Sequence, residues 1–221
     1  MDLGLKGKVA IITGGSEGIG YAAAWEMANE GANVVICART LGPLEDAAKK
    51  IKTETGNSVT AISCDVTIPS AIECLFSDVI ERFGAVHILV NNAGTSSAAP
   101  FDETPDETWD YDIDLKLYGA IRCSRLAIDQ MKKQSYGRII NITTPGGKAP
   151  TESSVPTSVS RAAGIALTKA MSKDFAKHNI LVNTVGVGLI RSGQHRKRWE
   201  VKADSNPNLS LDDFYQEMGS G

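Results

Sequence analysis

Val9-Ala10-Ile11-Ile12-Thr13-Gly14-Gly15-Ser16-Glu17-Gly18-Ile19-Gly20 decides how the rest of this chain is read. A short apolar, β-branched run reads as a buried strand, and glycines at the spacing G-x-x-x-G-x-G follow it directly. Residues 19–29 then carry alanine and other apolar side chains without a breaker, so a helix opens where the glycines end. A helix N-terminus leaves backbone N–H groups unpaired and carries a positive partial charge, and both suit an anion. Glycine removes the Cβ that would keep a pyrophosphate away from the backbone. The spacing differs from G-x-G-x-x-G, and a glycine cluster taken alone is also compatible with a plain turn.

The 221 residues suffice for one sizeable core. Hydrophobic residues make up 42% and charged residues 22%, the range of a globular chain. A net charge of −3 gives no electrostatic footprint for nucleic acid. Cys37, Cys64, Cys74 and Cys123 lack C-x-x-C spacing and read as small hydrophobes in a reducing compartment, and no metal site is expected. Residues 1–8 have neither an apolar h-region nor a cleavage site, and no run approaches membrane-spanning length. The expectation is a soluble, cytoplasmic protein that engages neither membrane nor nucleic acid.

Beyond the first helix the chain alternates. Strands are expected at 33–37, 59–63, 87–90, 138–143 and 180–185, with helices at 42–55, 69–83, 104–134 and 158–177 between them. Thr104-Pro105-Asp106-Glu107 reads as a capping box with proline at the first helical position. Strands that are apolar on both faces and separated by helices imply a parallel sheet covered on both sides. Right-handed crossovers then give an α/β, doubly wound, Rossmann-type three-layer fold, expected as a single domain over 1–221. Ligands on such sheets bind beyond the carboxyl ends of the strands, where the glycine loop lies. His87 and His178, at the edges of elements, read as structural. The basic stretch 191–199, which includes His195, reads as a solvated helix face, or as a surface that meets an acidic substrate.

Several stretches together resemble the short-chain dehydrogenase/reductase family from about residue 8 to 192. Thr13-Gly14-Gly15-x-x-Gly18-Ile19-Gly20 is similar to its cofactor loop, Cys64-Asp65-Val66 to its adenine-side aspartate, and Asn91-Asn92-Ala93-Gly94 to its fourth-strand motif. Trp109 to Gly119, Gly137-Arg138-Ile139-Ile140-Asn141-Ile142 and Leu181-Val182-Asn183 sit at the matching intervals. The resemblance implies cofactor contacts from Gly14, Ser16, Glu17, Gly18, Ile19, Gly20, Asp65, Val66, Asn92, Ala93, Gly94, Arg161, Gly188 and Ile190. Arg39, just past the second strand where NAD binders place an acidic group, favours NADP over NAD.

The catalytic positions depart from the family pattern. Alignment on the flanking motifs puts Lys116 where the family has asparagine and Thr144 where it has serine. Thr157 and Arg161 fall at the tyrosine and lysine of Tyr-x-x-x-Lys. A phenol titrates near 10 and can be lowered by a neighbouring ammonium, whereas an alcohol does not titrate in water and a guanidinium does not give up its proton. Lys116 is then the titratable member, expected to supply the proton with its pKa lowered by burial and Arg161, while Thr144 would bind substrate oxygen and Arg161 the cofactor ribose. The competing reading is that Lys116 points to bulk water or pairs with Asp112 or Asp114 and takes no part. Three readings stay open: a rewired NADP-dependent oxidoreductase on a small carbonyl or alcohol, a non-redox lyase or isomerase, and an inactive cofactor-binding protein. The resemblance also implies a homo-oligomer, a tetramer or a dimer, and family members continue beyond residue 221 with a helix and a last strand.

Overall fold

The computed structural model describes residues 3–219, which form two compact units that divide between Gly186 and Val187. The first unit is built on six parallel strands: β1 (Val9–Thr13), β2 (Asn33–Ala38), β3 (Val59–Ser63), β4 (Ile88–Asn91), β5 (Gly137–Thr143) and β6 (Ile180–Gly186). Their spatial order is β3-β2-β1-β4-β5-β6. Helices α1 (Gly18–Asn29), α2 (Leu41–Thr55), α3 (Pro69–Phe83), α4 (Asp106–Ile113), α5 (Gly119–Lys133) and α6 (Thr157–Phe175) connect them. The doubly wound expectation holds. The order reverses between β1 and β4, which puts the glycine loop beside the Asn91–Gly94 segment at the carboxyl edge.

The strand pattern explains why both sheet faces are covered. Every residue of β1 is buried. Successive side chains on a strand point to opposite faces, so Val9 and Ile11 enter one core with Leu75, Phe76 and Met131. Ala10 and Ile12 enter the other, against Ala24, Ala28, Leu44 and Ile51 from α1 and α2. Helices α2 and α3 stop at Gly56 and Gly84, whose φ values of 75° and 72° provide the left-handed cap. His87 is structural as expected: its Nδ1 accepts the Val9 N–H at 3.0 Å.

Two local expectations are corrected. The capping box does not form. The Thr104 hydroxyl instead donates to the Pro100 carbonyl at 2.6 Å across a short 3₁₀ turn, Phe101–Glu103, and Pro105 occupies the N-cap without a side-chain bond. A threonine hydroxyl that finds a carbonyl four residues back no longer serves the following helix. The long helix expected over 104–134 is also interrupted, because Asp114–Tyr118 winds as a π-helical turn between α4 and α5. Such turns recur at functional sites, and this one carries Lys116.

The second unit holds α7 (Gly193–Ser205) and α8 (Leu211–Gly219). Ser192 caps α7 by accepting the His195 N–H, and Trp199 Nε1 donates to the Leu209 carbonyl at 2.9 Å. No residue of α7 is buried, in keeping with a solvated basic face. Among the described residues, no helix is long and apolar enough to cross a membrane.

Candidate active site

The glycine loop is fastened to its neighbour by one threonine and one asparagine. Thr13 Oγ1, at the end of β1, accepts the N–H groups of Asn92 and Ala93 at 3.0 and 2.9 Å. The Asn92 amide returns two bonds, to the carbonyls of Thr13 at 2.9 Å and Gly14 at 3.0 Å. Asn92 therefore shapes the loop with its side chain. Gly20 is required by crowding, since a Cβ there would lie 2.2 Å from the Gly14 carbonyl oxygen and 2.5 Å from Asn92 Nδ2. Gly14 and Gly18 take φ values of 67° and 61°, which side-chain-bearing residues rarely adopt. Open space lies where a Cβ of Gly18 would be, and the N-cap residue Glu17 does not cap α1 with its side chain. The amides there suit an anion. Ser16 and Ile19 are half-buried and Glu17 is exposed along this loop.

The expected adenine and ribose contacts lie further along the same edge. Asp65 Oδ1 accepts from both the N–H and the hydroxyl of Thr67, at 2.9 and 2.8 Å, which fixes the turn after β3. Val66 is buried, packed where the missing Cβ of Gly119 leaves room. Arg39 is exposed beyond β2, and its guanidinium donates to the Tyr111 hydroxyl at 3.0 Å. Gly188 and Ile190 are exposed members of the second unit.

Lys116, Thr157 and Arg161 are brought together under Gly94. A Cβ on Gly94 would lie 2.7 Å from the Arg161 guanidinium and 3.5 Å from the Lys116 stem. Arg161 donates to the Ile142 carbonyl at 2.8 Å, while its buried Nε–H has no protein partner. Buried donors are nearly always paired, so this N–H fits a hydroxyl acceptor such as a ribose oxygen. Together with the glycine loop that leads into α1, it makes the residues present a fit for a dinucleotide. Thr144 follows β5 directly and caps the turn Pro145–Gly147. That turn lies close against α6, because a Cβ on Gly147 would lie 3.0 Å from the Arg161 carbonyl carbon.

The Lys116 side chain is 1% exposed and that of Asp112 is 0% exposed. The ammonium donates to Asp112 Oδ2 and also to Thr157 Oγ1 at 2.9 Å. Thr157 Oγ1 further accepts the Ser97 N–H at 2.9 Å, and Thr157 itself is only half-buried. Ser160, one turn into α6, donates to Asp112 Oδ1 at 2.6 Å. Burial pushes the Lys116 pKa down, Asp112 opposes that and Arg161 adds to it, leaving the amine at about 8.

Ser160 escaped the sequence reading, and Asp112 entered it only as one of two possible ion-pair partners of Lys116, of which the structure selects Asp112. The i,i+4 spacing of Asp112 and Lys116 was a legible signal for an ion pair, but nothing local showed that it would be buried. A second chain of buried polar groups supports the site from below. Asn91 donates to Asn141 at 2.8 Å, Asn141 to Thr168 at 2.8 Å, and Thr184 to Thr168 at 2.8 Å. These bonds lock β4, β5, β6 and α6 at fixed spacing.

Comparison with known proteins finds relatives in sequence and in fold. Dehydrogenase/reductase SDR family member 4 of Bos taurus is 32% identical over 203 residues, 90% of this chain and 71% of that protein. The crystal structure of L-sorbose reductase from Gluconobacter frateurii, complexed with NADPH and L-sorbose, superposes with a TM-score of 0.92 at 33% identity, covering 100% of this chain and 82% of that one. An actinorhodin polyketide ketoreductase with NADPH superposes with a TM-score of 0.85 at 32% identity, covering 93% and 79%. Residues 8–203 match the family model for short chain dehydrogenase, and the chain belongs to that family.

Proposed function

We propose that this protein is an NADP(H)-dependent oxidoreductase that interconverts a small carbonyl compound and its alcohol, with Lys116 as the proton source in place of the family's tyrosine. When bound, the nicotinamide supplies or accepts the hydride. Arg161 holds the cofactor ribose through the Nε–H that lacks a protein partner, and Arg39 turns from Tyr111 to pair a 2′-phosphate. The amides of Gly14, Ser16, Glu17, Gly18, Ile19 and Gly20 line the pyrophosphate path. Asp65 and Val66 bound the adenine side, and Asn92, Ala93 and Gly94 the nicotinamide side. Thr144 binds the substrate oxygen.

One observation carries the catalytic assignment: the buried Lys116 ammonium donates to the hydroxyl of Thr157, a residue that is itself only half-buried. Thr157 does not need to ionise. In reduction it passes its O–H proton to the alkoxide as the C–H bond forms, and Lys116 refills it, ending as a neutral amine. The reverse reaction runs the same protons backwards. The NADPH and NADP complexes among related reductases support the choice of cofactor. Titration of intrinsic or cofactor fluorescence with NADPH and NADH tests it, and equal or tighter NADH binding refutes it.

A panel of carbonyls and alcohols then tests turnover. Lys116→Met is expected to reduce kcat by orders of magnitude with NADPH affinity intact, and full activity in that variant refutes the assignment. Because the ammonium is the acid, reduction should fall as pH rises through about 8, whereas oxidation, which needs the free amine, should rise through the same range. We further infer a cytoplasmic homo-oligomer, a tetramer or a dimer, joined through α5 and α6, where Ala162, Ala163 and Gly164 permit close helix approach. Sedimentation showing a monomer at micromolar concentration refutes it.

A further inference from the structure

The proton-source reading of Lys116 leaves open what keeps a buried lysine charged and aimed, and the inference drawn here rests on that reading. Asp112 lies one turn before Lys116 and is completely buried. Its two carboxylate oxygens serve donors from different elements. Oδ1 takes the Ser160 hydroxyl of α6 at 2.6 Å, and Oδ2 takes the ammonium, with Thr157 Oγ1 at 3.4 Å. Exposed i,i+4 pairs swing freely and contribute little. This pair is fixed at both ends, because Ser160 holds the carboxylate while Thr157 takes another proton of the ammonium.

We propose that Asp112, anchored by Ser160, is a positioning residue that keeps the Lys116 ammonium charged and directed at the Thr157 hydroxyl. The charged groups that face Lys116 are Asp112 from α4 and Arg161 from α6, and they act in opposite senses. Burial sides with Arg161, since desolvation disfavours the ammonium. Asp112 is therefore the group that stands against loss of the proton before substrate arrives. Asp112 never touches substrate in this scheme. It acts through Lys116, and Ser160 acts through Asp112.

The test needs neither substrate nor cofactor. Lysine labelled with ¹³C at Cε reports each amine's titration by NMR, and Lys116→Met identifies the Lys116 signal by its disappearance. The wild-type midpoint is expected at about 8. Asp112→Asn preserves shape and a hydrogen-bond acceptor for Ser160 but removes the charge, so the midpoint should fall by about one unit or more. Ser160→Ala keeps the carboxylate and should lower the midpoint by a smaller amount, which provides a second reading should Asp112→Asn fold poorly. An Asp112 that matters for stability alone would lower the melting temperature and leave the midpoint in place. An unmoved or raised midpoint in Asp112→Asn overturns the proposal. With the carbonyl of the panel that turns over fastest, the alkaline limb of reduction should shift with the NMR midpoint. If Lys116→Met retains full turnover while the midpoint shifts as expected, the proton-source reading fails and the hold of Asp112 on Lys116 stands.

Discussion

Replacing Thr13 by valine removes one oxygen and nearly nothing else, so its consequences can be worked out from the structure. Thr13 is 2% exposed, and its Oγ1 is the acceptor for two backbone N–H groups, those of Asn92 and Ala93. Valine fills the same volume but accepts nothing. Leaving a buried donor unpaired costs roughly 1–3 kcal/mol. Residues 92 and 93 are half-buried, so water reaches them in part and the low end applies to each. The expected loss is about 2–3 kcal/mol, which for a chain of this size lowers the melting temperature by about 4–12 °C. Thr13→Ser is the control, because it keeps the oxygen and loses a single buried methyl, at a cost of about 1 kcal/mol. Thermal melts followed by circular dichroism, with urea unfolding alongside, separate the two. Thr13→Val should also weaken NADPH binding, because the two amides set the path of Ala93 and Gly94 beside Arg161. A valine variant that melts no lower than the serine variant refutes the argument.

Other positions test the remaining links. Gly20→Ala places a methyl against a backbone carbonyl that cannot rotate away. It should cost about 1–3 kcal/mol and abolish measurable NADPH binding, as read by fluorescence titration. Gly164→Ala, in the interior of α6 with nothing within 4 Å of its Cβ position, should instead stabilise the isolated chain by about 0.5–1 kcal/mol. If α6 joins two copies, the same methyl should weaken the oligomer in sedimentation. His87 must stay neutral to accept the Val9 N–H, and burial, then the charge of Lys8, push its pKa below the ordinary value near 6.5. The folded state therefore binds fewer protons than the unfolded one below that value. The contribution of His87 is complete above about pH 6.5 and is lost as pH falls through the folded-state pKa. The melting temperature of His87→Gln should accordingly fall less than that of wild type between neutral and mildly acidic pH.

How much was legible in the sequence depended on how far each residue's partners lie along the chain. β1 could be read because its alternation is local: Val9 and Ile11 face one helix layer, Ala10 and Ile12 the other, and both sets are apolar. The glycine loop could be read because backbone geometry favours glycine where φ is positive, as at Gly14 and Gly18, and requires it where a carbonyl would lie 2.2 Å from a Cβ, as at Gly20. The capping box misled because its pattern omits Pro100, which offers Thr104 a nearer acceptor. The π-helical turn at Asp114–Tyr118 has no pattern of its own in the side chains. The proposed catalytic cluster lies at the far end of this scale. Asp112 and Lys116 make a common surface motif until α6 arrives from more than forty residues onward and closes over them with Thr157, Ser160 and Arg161. Read one position at a time, Lys116, Thr157 and Arg161 are three losses from a family pattern. Together with Asp112 they balance, because the carboxylate offsets one of the two cations and, in the proposed scheme, the hydroxyl of half-buried Thr157 gives the remaining buried proton an exit. The substitutions make chemical sense only as a set, which predicts that restoring one family residue alone, as in Thr157→Tyr, crowds the Lys116 ammonium and lowers turnover; a gain in turnover from that single change would show that the four positions are not coupled.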